Sequence, residues 1–87
     1  MKRTELIREL KRVGGLFRAG ATFDANRQVA ALMPEMVNQF SSLSAERLAQ
    51  AQVLFPELLS CMERQDYVGL ADYFEFELRE LFSQSGT

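Results

Sequence analysis

Apolar residues recur along this chain at spacings of three and four positions, and they do not alternate with polar residues as a half-buried strand requires. The pattern predicts four helices, at residues 4–19, 24–41, 44–63 and 66–82. The first helix has a clear apolar stripe of Leu6, Leu10, Val13 and Phe17. Gly20 follows this stripe and is predicted to end the helix in a left-handed conformation. The best-formed stripe of the chain is predicted in the third helix and consists of Leu48, Ala51, Phe55, Leu58, Leu59 and Met62.

Short polar side chains stand where the other three helices should begin. Thr22 or Asp24 can cap the second helix, and Ser44 and Asp66 precede the third and fourth. Each side chain offers an oxygen to the first free backbone N–H groups of its helix. The core predicted from the four stripes consists of Leu10, Val13, Phe17, Leu32, Met36, Phe40, Phe55, Leu58, Met62, Leu70, Phe74 and Leu78.

Two prolines fall inside predicted helices. Pro34 lies in the second helix and Pro56 in the third, and each removes one backbone hydrogen bond. We expect kinks rather than breaks, because the apolar spacing continues in phase through both prolines. A break would also make Met33 and Phe55 the caps of new helices, and neither side chain can accept a hydrogen bond from a backbone amide.

The connections between the helices, near residues 20–23, 42–43 and 64–65, are short. Consecutive helices must therefore run antiparallel. The predicted fold is an all-α, up-down antiparallel four-helix bundle with proline kinks in the two middle helices, which forms a single domain over residues 1–87.

Two adjacent glycines interrupt the first helix. Gly14 and Gly15 each weaken a helix interior by about 1 kcal/mol relative to alanine. Two explanations stay open at this stage. Either a close helix approach or a bend requires the glycines, or the pair is a tolerated weak point.

The net charge of −2 conceals a gradient along the chain. Residues 1–20 contain six basic and two acidic side chains, whereas residues 57–87 contain two basic and seven acidic ones. The simpler interpretation is that the first and last helices attract each other weakly across solvated faces. The alternative is that the gradient steers a partner or a head-to-tail contact between two copies.

The sequence offers little for catalysis. Histidine is absent and Cys61 is the only cysteine, so the chain lacks a nucleophile and base of the usual kind. Asp72 and Glu75 lie one turn apart and could form a carboxylate pair, with Glu77 at its edge. Acid catalysis would need an apolar pocket around the pair, and a divalent metal would need more oxygen ligands. We therefore predict a protein that is not an enzyme and that uses no cofactor, metal or small-molecule substrate.

The last helix carries apolar residues on two sides. Leu70 and Phe74 belong to its inner stripe, whereas Tyr73 and Phe76 lie on the opposite flank. Gly69 removes a side chain one turn earlier and could let another helix approach. We predict that this flank binds a protein partner or a second copy of the chain. The candidate interface consists of Gly69, Asp72, Tyr73, Phe76, Arg79 and Glu80.

The outer side of the first helix is a second candidate surface, because its basic side chains could contact phosphate groups. These side chains are Arg8, Lys11, Arg12 and Arg18, around Gly15. A sequence pI of about 5.1 and the acidic last helix would repel a polyanion. A small nucleic-acid-associated regulatory protein is therefore the alternative function.

No apolar run approaches the ~20 residues that cross a bilayer, and residues 1–20 lack the apolar segment of a secretory signal. The expected location is the cytoplasm, without membrane contact. Residues 65–78 read QDYVGLADYFEFEL. This run resembles a segment, D-Y-x-x-L-A-D-x-x-E-x-E-L, near the C-termini of small uncharacterised bacterial helical proteins, and the resemblance transfers no activity.

In size, acidity and helical content the chain is also similar to bacterial flagellar and type III secretion chaperones. We interpret the chain as a non-enzymatic cytoplasmic protein-interaction module. It would act as an adaptor or in a chaperone-like way, and self-association as a homodimer is one form that this role can take.

Overall fold

The structure is a computed structural model that describes residues 1–83, and every regular element in that part of the chain is helical. α1 spans Arg3–Arg18, α2 spans Thr22–Gln39 with a 3₁₀ turn after it at Phe40–Ser42, and α3 spans Ala45–Arg64. The fourth helix, α4, occupies residues 67–83 as three consecutive segments: α-helical Tyr67–Asp72, π-helical Tyr73–Glu77 and α-helical Leu78–Ser83. The predicted all-α class and the four helices are confirmed.

Side-chain caps begin the third and fourth helices as predicted. Ser44 Oγ accepts a hydrogen bond from the backbone N–H of Arg47 at 3.1 Å. Asp66 Oδ1 accepts one from the backbone N–H of Gly69 at 3.0 Å. Both bonds satisfy amides that have no partner inside the helix.

The connection between α1 and α2 uses backbone hydrogen bonds instead. Gly20 adopts the predicted left-handed conformation with a φ of 78°, and the next residue, Ala21, donates its N–H to Leu16 O at 2.9 Å. This turn leads directly into α2, which begins at Thr22 without a side-chain cap. The prediction that Thr22 or Asp24 caps α2 is therefore wrong.

Pro34 and Pro56 lie inside α2 and α3, and neither helix is broken there. Both prolines are exposed. The carbonyl groups that lose their usual partners belong to Ala30 and Gln52, which are exposed residues as well. Water can therefore satisfy these carbonyl groups, and the helices tolerate the missing bonds.

α1 lies at the centre of the fold. It packs along α2 on one side and along all three segments of α4 on the other. α3 packs on α4, but within residues 1–83 the backbones of α2 and α3 hardly approach each other. The core therefore lies mainly between α1, α2 and α4, and the side of the bundle between α2 and α3 is open.

The helices contribute unequally to the core. α1, α2 and α4 each bury at least four apolar side chains, whereas α3 buries only Ala51, Leu58 and Cys61. Nine of the twelve predicted core residues are buried. The other three, Phe40, Phe55 and Met62, are only partly buried and pack against the core from outside. Their assignment to the core is wrong, because α3 lies against α4 and leaves its second apolar side without a neighbour.

The π-helical segment keeps the inner face of α4 directed at the core. Leu70, Phe74, Leu78 and Phe82 follow each other every four residues, and all are buried. At 3.6 residues per turn, such a row would drift around the axis of a regular α-helix. The backbone N–H of Leu78 instead donates to Tyr73 O five residues earlier. The additional residue in this turn compensates for the drift.

Candidate functional site

The two aromatic residues of the predicted interface have different surroundings. Tyr73 is partly buried, and its hydroxyl donates a hydrogen bond to Glu57 Oε2 on α3. This bond, with a smaller contribution from burial, raises the pKa of Tyr73 to about 12. Phe76 is 60% exposed and borders Ile7 of α1 across a shallow groove. The structure therefore does not bring Tyr73 and Phe76 together on one surface.

Gly69 does let a helix approach, and that helix is α3 of the same chain. A Cβ atom at this position would lie 3.2 Å from Cys61 Sγ and 2.7 Å from Asp66 Oδ2. Both distances are shorter than ordinary van der Waals contacts. The missing side chain is thus used in the packing of α3 against α4.

Asp72 and Glu75 both bind Arg18. Arg18 Nη2 lies 2.6 Å from Asp72 Oδ1, and Arg18 Nε lies 3.0 Å from Glu75 Oε1. Both hydrogen bonds raise the pKa of Arg18, and the bond with Asp72 contributes more than the bond with Glu75. The three side chains join α1 to α4. This contact agrees with the simpler interpretation of the charge gradient, in which the first and last helices attract each other.

The remaining candidates on α4, Arg79 and Glu80, border the same shallow groove as Phe76. Arg79 Nη1 donates to the carbonyl oxygen of Glu75 at 3.2 Å, and Arg79 Nε is buried without a hydrogen-bond partner among residues 1–83. Glu80 is exposed and also borders a groove of mixed polar and apolar character between α3 and α4, together with Glu77 and Arg47. No group of three or more Cys, Asp or Glu side chains in the described part of the chain is placed to hold a metal.

The basic side of α1 is partly neutralised by carboxylates. Arg18 binds Asp72 and Glu75 as described, and Arg12 Nε lies 3.2 Å from Glu9 Oε1. Arg8 and Lys11 are exposed. Two of the four side chains predicted to contact phosphate therefore already have anionic partners.

The open side of the bundle forms an apolar cleft between α2 and α3, with a volume of about 390 Å³. None of its lining side chains carries a charge. They are Met33, Val37, Phe40, Leu48, Ala51, Gln52 and Phe55. We refer to this surface as the α2–α3 cleft.

Aromatic contacts connect the cleft to the core. The rings of Phe40 and Phe55 meet edge to face with 5.4 Å between their centroids. Phe40 also stacks on the buried ring of Phe82, at 6.3 Å between centroids. On the outer part of the cleft, Val37 is 54% exposed and Leu48 is 38% exposed. The cleft is thus bounded at one edge by aromatic rings that pack on each other, and on its walls by exposed apolar side chains.

Both walls of the cleft have the same residue spacing, i, i+4 and i+7. The first row consists of Met33 and Val37 on α2 and Phe40 in the turn that follows it, and the row on α3 is Leu48, Gln52 and Phe55. Such rows are the surface that one helix presents to another in a coiled coil or bundle. In this fold neither row has a full helix against it.

Ionisable side chains are absent from long stretches of both walls. α3 has none between Arg47 and Glu57. After Arg27, Glu35 is the only ionisable side chain up to the end of α2, and it pairs with the amino group of Met1 at 3.2 Å. A partner of this cleft must therefore present an apolar, uncharged face.

Sequence reasoning missed the cleft because it placed Phe40 and Phe55 in the core of a closed four-helix bundle. A signal was present in the uncharged runs at residues 28–34 and 48–56. These runs contain more apolar positions than one buried stripe needs. Only the arrangement of the helices shows that the additional positions have no neighbour.

Comparison of the chain with protein-family models, with curated proteins and with solved structures finds no match. Within residues 1–83, no helix has the length and apolar character that crossing a membrane requires. The α2–α3 cleft is therefore the feature on which a functional assignment rests.

Proposed function

We propose that the protein is a non-enzymatic protein-interaction module of the cytoplasm, acting as an adaptor or in a chaperone-like way. Its contact surface is the α2–α3 cleft, and the occupant is an amphipathic helix. The observation that carries the proposal is an uncharged apolar cleft whose two walls both present i, i+4, i+7 rows. A helix that binds in a groove uses the same spacing for its own anchors.

A helix suits this cleft better than an extended peptide does. An extended peptide that adds to a sheet gains its affinity from main-chain hydrogen bonds, and the helical walls of the cleft offer no free strand edge. Between α2 and α3, a helix occupies the place of the neighbour that each of them lacks. It covers Val37 and Leu48, the most exposed apolar side chains of the lining.

The proposal includes the up-down antiparallel order of the helices and a change of direction at each proline. The order is supported by the short connections between consecutive helices, such as residues 65–66 between α3 and α4. Pro34 follows Met33 and Pro56 follows Phe55, so both prolines adjoin residues of the cleft. Kinks at these positions would set the distance between its walls.

Photo-crosslinking in living cells of the native host tests the proposal. A photoreactive phenylalanine analogue replaces Val37 in the cleft, Phe76 on the predicted α4 surface, or Val68 as the control. Val68 is 70% exposed and lies outside the cleft. We expect covalent adducts with a protein from position 37 and none from position 68.

Mass spectrometry of the adducts distinguishes the outcomes. Adducts from position 76 alone would keep the interaction function but move it to the α4 surface. Equal adducts from all three positions, or none from any position, would contradict the proposed function.

A further inference from the structure

We infer that the helix which fills the α2–α3 cleft is α2 of a second copy, so that two chains associate about a two-fold axis. This inference rests on the proposed function and names the partner. Three features of the surface support it: a ridge that matches the cleft, the distribution of charge, and the area of the contact.

The ridge lies on α2 beside the cleft. Phe23, Ala30 and Val37 are seven residues apart and are all exposed, Phe23 to 75% and Val37 to 54%. At 100° per residue they fall on one side of α2, next to Met33 of the cleft wall. Arg27 lies over the Phe23 ring, 5.9 Å from its centroid, at the end of the ridge that is farther from the cleft. One surface therefore carries both an apolar groove and a largely apolar helical ridge. A two-fold dimer needs this self-complementarity, because each copy must supply both halves of the contact.

The charge distribution favours this face over the other exposed surfaces for a contact between copies. Residues 57–87 contain seven acidic and two basic side chains, so two copies that met through α4 would repel each other. The cleft walls carry no charge. At the ridge, Arg27 over the ring of Phe23 carries a positive charge. Two chains of net charge −2 can therefore meet through the α2–α3 face without placing their acidic α4 helices in contact.

The area fits a dimer that dissociates on dilution. Positions 23 to 37 span about 21 Å along α2 at 1.5 Å per residue. The face spans both α2 and α3, each about 10 Å across, so the contact face of each copy measures about 20 Å by 21 Å, or about 400 Å², in projection. Interdigitating side chains add to this area, but the total stays in the lower part of the range of specific interfaces, whose typical value is about 800 Å² per partner. We expect dissociation at micromolar concentrations.

Sedimentation equilibrium of the purified chain, from low micromolar to millimolar concentration, tests the inference. The average mass of the wild-type protein should rise from 9.9 kDa toward twice that value. Val37→Glu places a charge in the contact and should weaken association at least about tenfold. Val68→Glu introduces the same charge on an exposed valine outside the cleft and should leave association unchanged. Val37→Ala, which buries no charge, should weaken it by a smaller factor.

A wild-type protein that stays at 9.9 kDa throughout the concentration range would overturn the inference. Equal weakening by Val37→Glu and Val68→Glu would overturn it as well. The crosslinks from position 37 separate the two proposals. If they capture a different protein while the purified chain remains monomeric, the interaction function stands and the self-association fails. If none of the three positions captures a protein and the chain is monomeric, both fail.

Discussion

Gly14 of α1 lies directly against Glu75 of α4: a Cβ atom at position 14 would overlap the Cγ atom of Glu75 and lie 3.1 Å from Ala71 O. Around the neighbouring Gly15, a Cβ atom would meet nothing within 4 Å. Of the two explanations that the sequence left open, close helix approach therefore holds for Gly14. The same approach allows the side chain of Glu75 to reach Arg18 at 3.0 Å.

The two glycines provide a matched pair of substitutions. Gly14→Ala should lower the free energy of unfolding by about 1–3 kcal/mol, because α4 or the Glu75 side chain must move. Gly15→Ala should raise it by up to about 1 kcal/mol, because alanine favours the helix and has open space. Urea unfolding followed by circular dichroism measures both changes. Equal effects of the two substitutions would contradict the close approach at Gly14.

Truncation of two phenylalanines tests the position of α3. Phe74 is completely buried, so Phe74→Ala should cost about 3–5 kcal/mol of unfolding free energy. Phe55 is partly buried at the cleft, so Phe55→Ala should cost only about 1–2 kcal/mol. The comparison uses chemical denaturation at a concentration where the protein is monomeric. Equal losses would place Phe55 in the core and close the α2–α3 cleft.

The hydrogen bond between Tyr73 and Glu57 predicts a titration. In a Tyr67→Phe background Tyr73 is the only tyrosine, and its absorbance should titrate with a midpoint near pH 12. Because the pKa of Tyr73 is raised in the folded state, the hydrogen bond stabilises the fold at pH values below the ordinary tyrosine pKa of about 10. This stabilisation is lost as the pH rises through the pKa that Tyr73 has in the folded state.

Glu57→Gln in the same background removes the charged acceptor and should lower the pKa of Tyr73 toward its ordinary value. Circular dichroism at each pH verifies that the chain is still folded. An unchanged midpoint in the Glu57→Gln variant would show that Glu57 is not the cause of the shift.

Binding to nucleic acid is expected to be absent. Arg12 and Arg18 already bind carboxylates, and the chain as a whole is acidic. Fluorescence anisotropy with duplex and single-stranded oligonucleotides at low salt should show no association. Micromolar binding that weakens steeply with salt and disappears when Arg8, Lys11 and Arg12 are replaced by alanine would establish the alternative function.

The sequence predicted that the chain has an apolar contact surface, but it did not predict the α2–α3 cleft as the location of that surface. The sequence indicated an apolar surface in excess of what one bundle requires, and it assigned that excess to Tyr73 and Phe76. The structure places the Tyr73 hydroxyl against Glu57 and the larger apolar surface between α2 and α3. The residue that the Tyr73 hydroxyl contacts depends on the distance between α3 and α4. No pattern within a single helix encodes that distance.

The sequence by itself determined the helices and most of their inner faces. These features depend on residues within one or two turns: the i, i+3, i+4 spacing, the caps at Ser44 and Asp66, and the left-handed Gly20. The tertiary structure decided which faces meet. An amphipathic stripe specifies that a face is to be buried, but not which helix covers it. In this protein the close approach at Gly14 and the π turn in α4 direct α4 onto α1, and α3 follows α4, so the cleft faces of α2 and α3 have no helix between them.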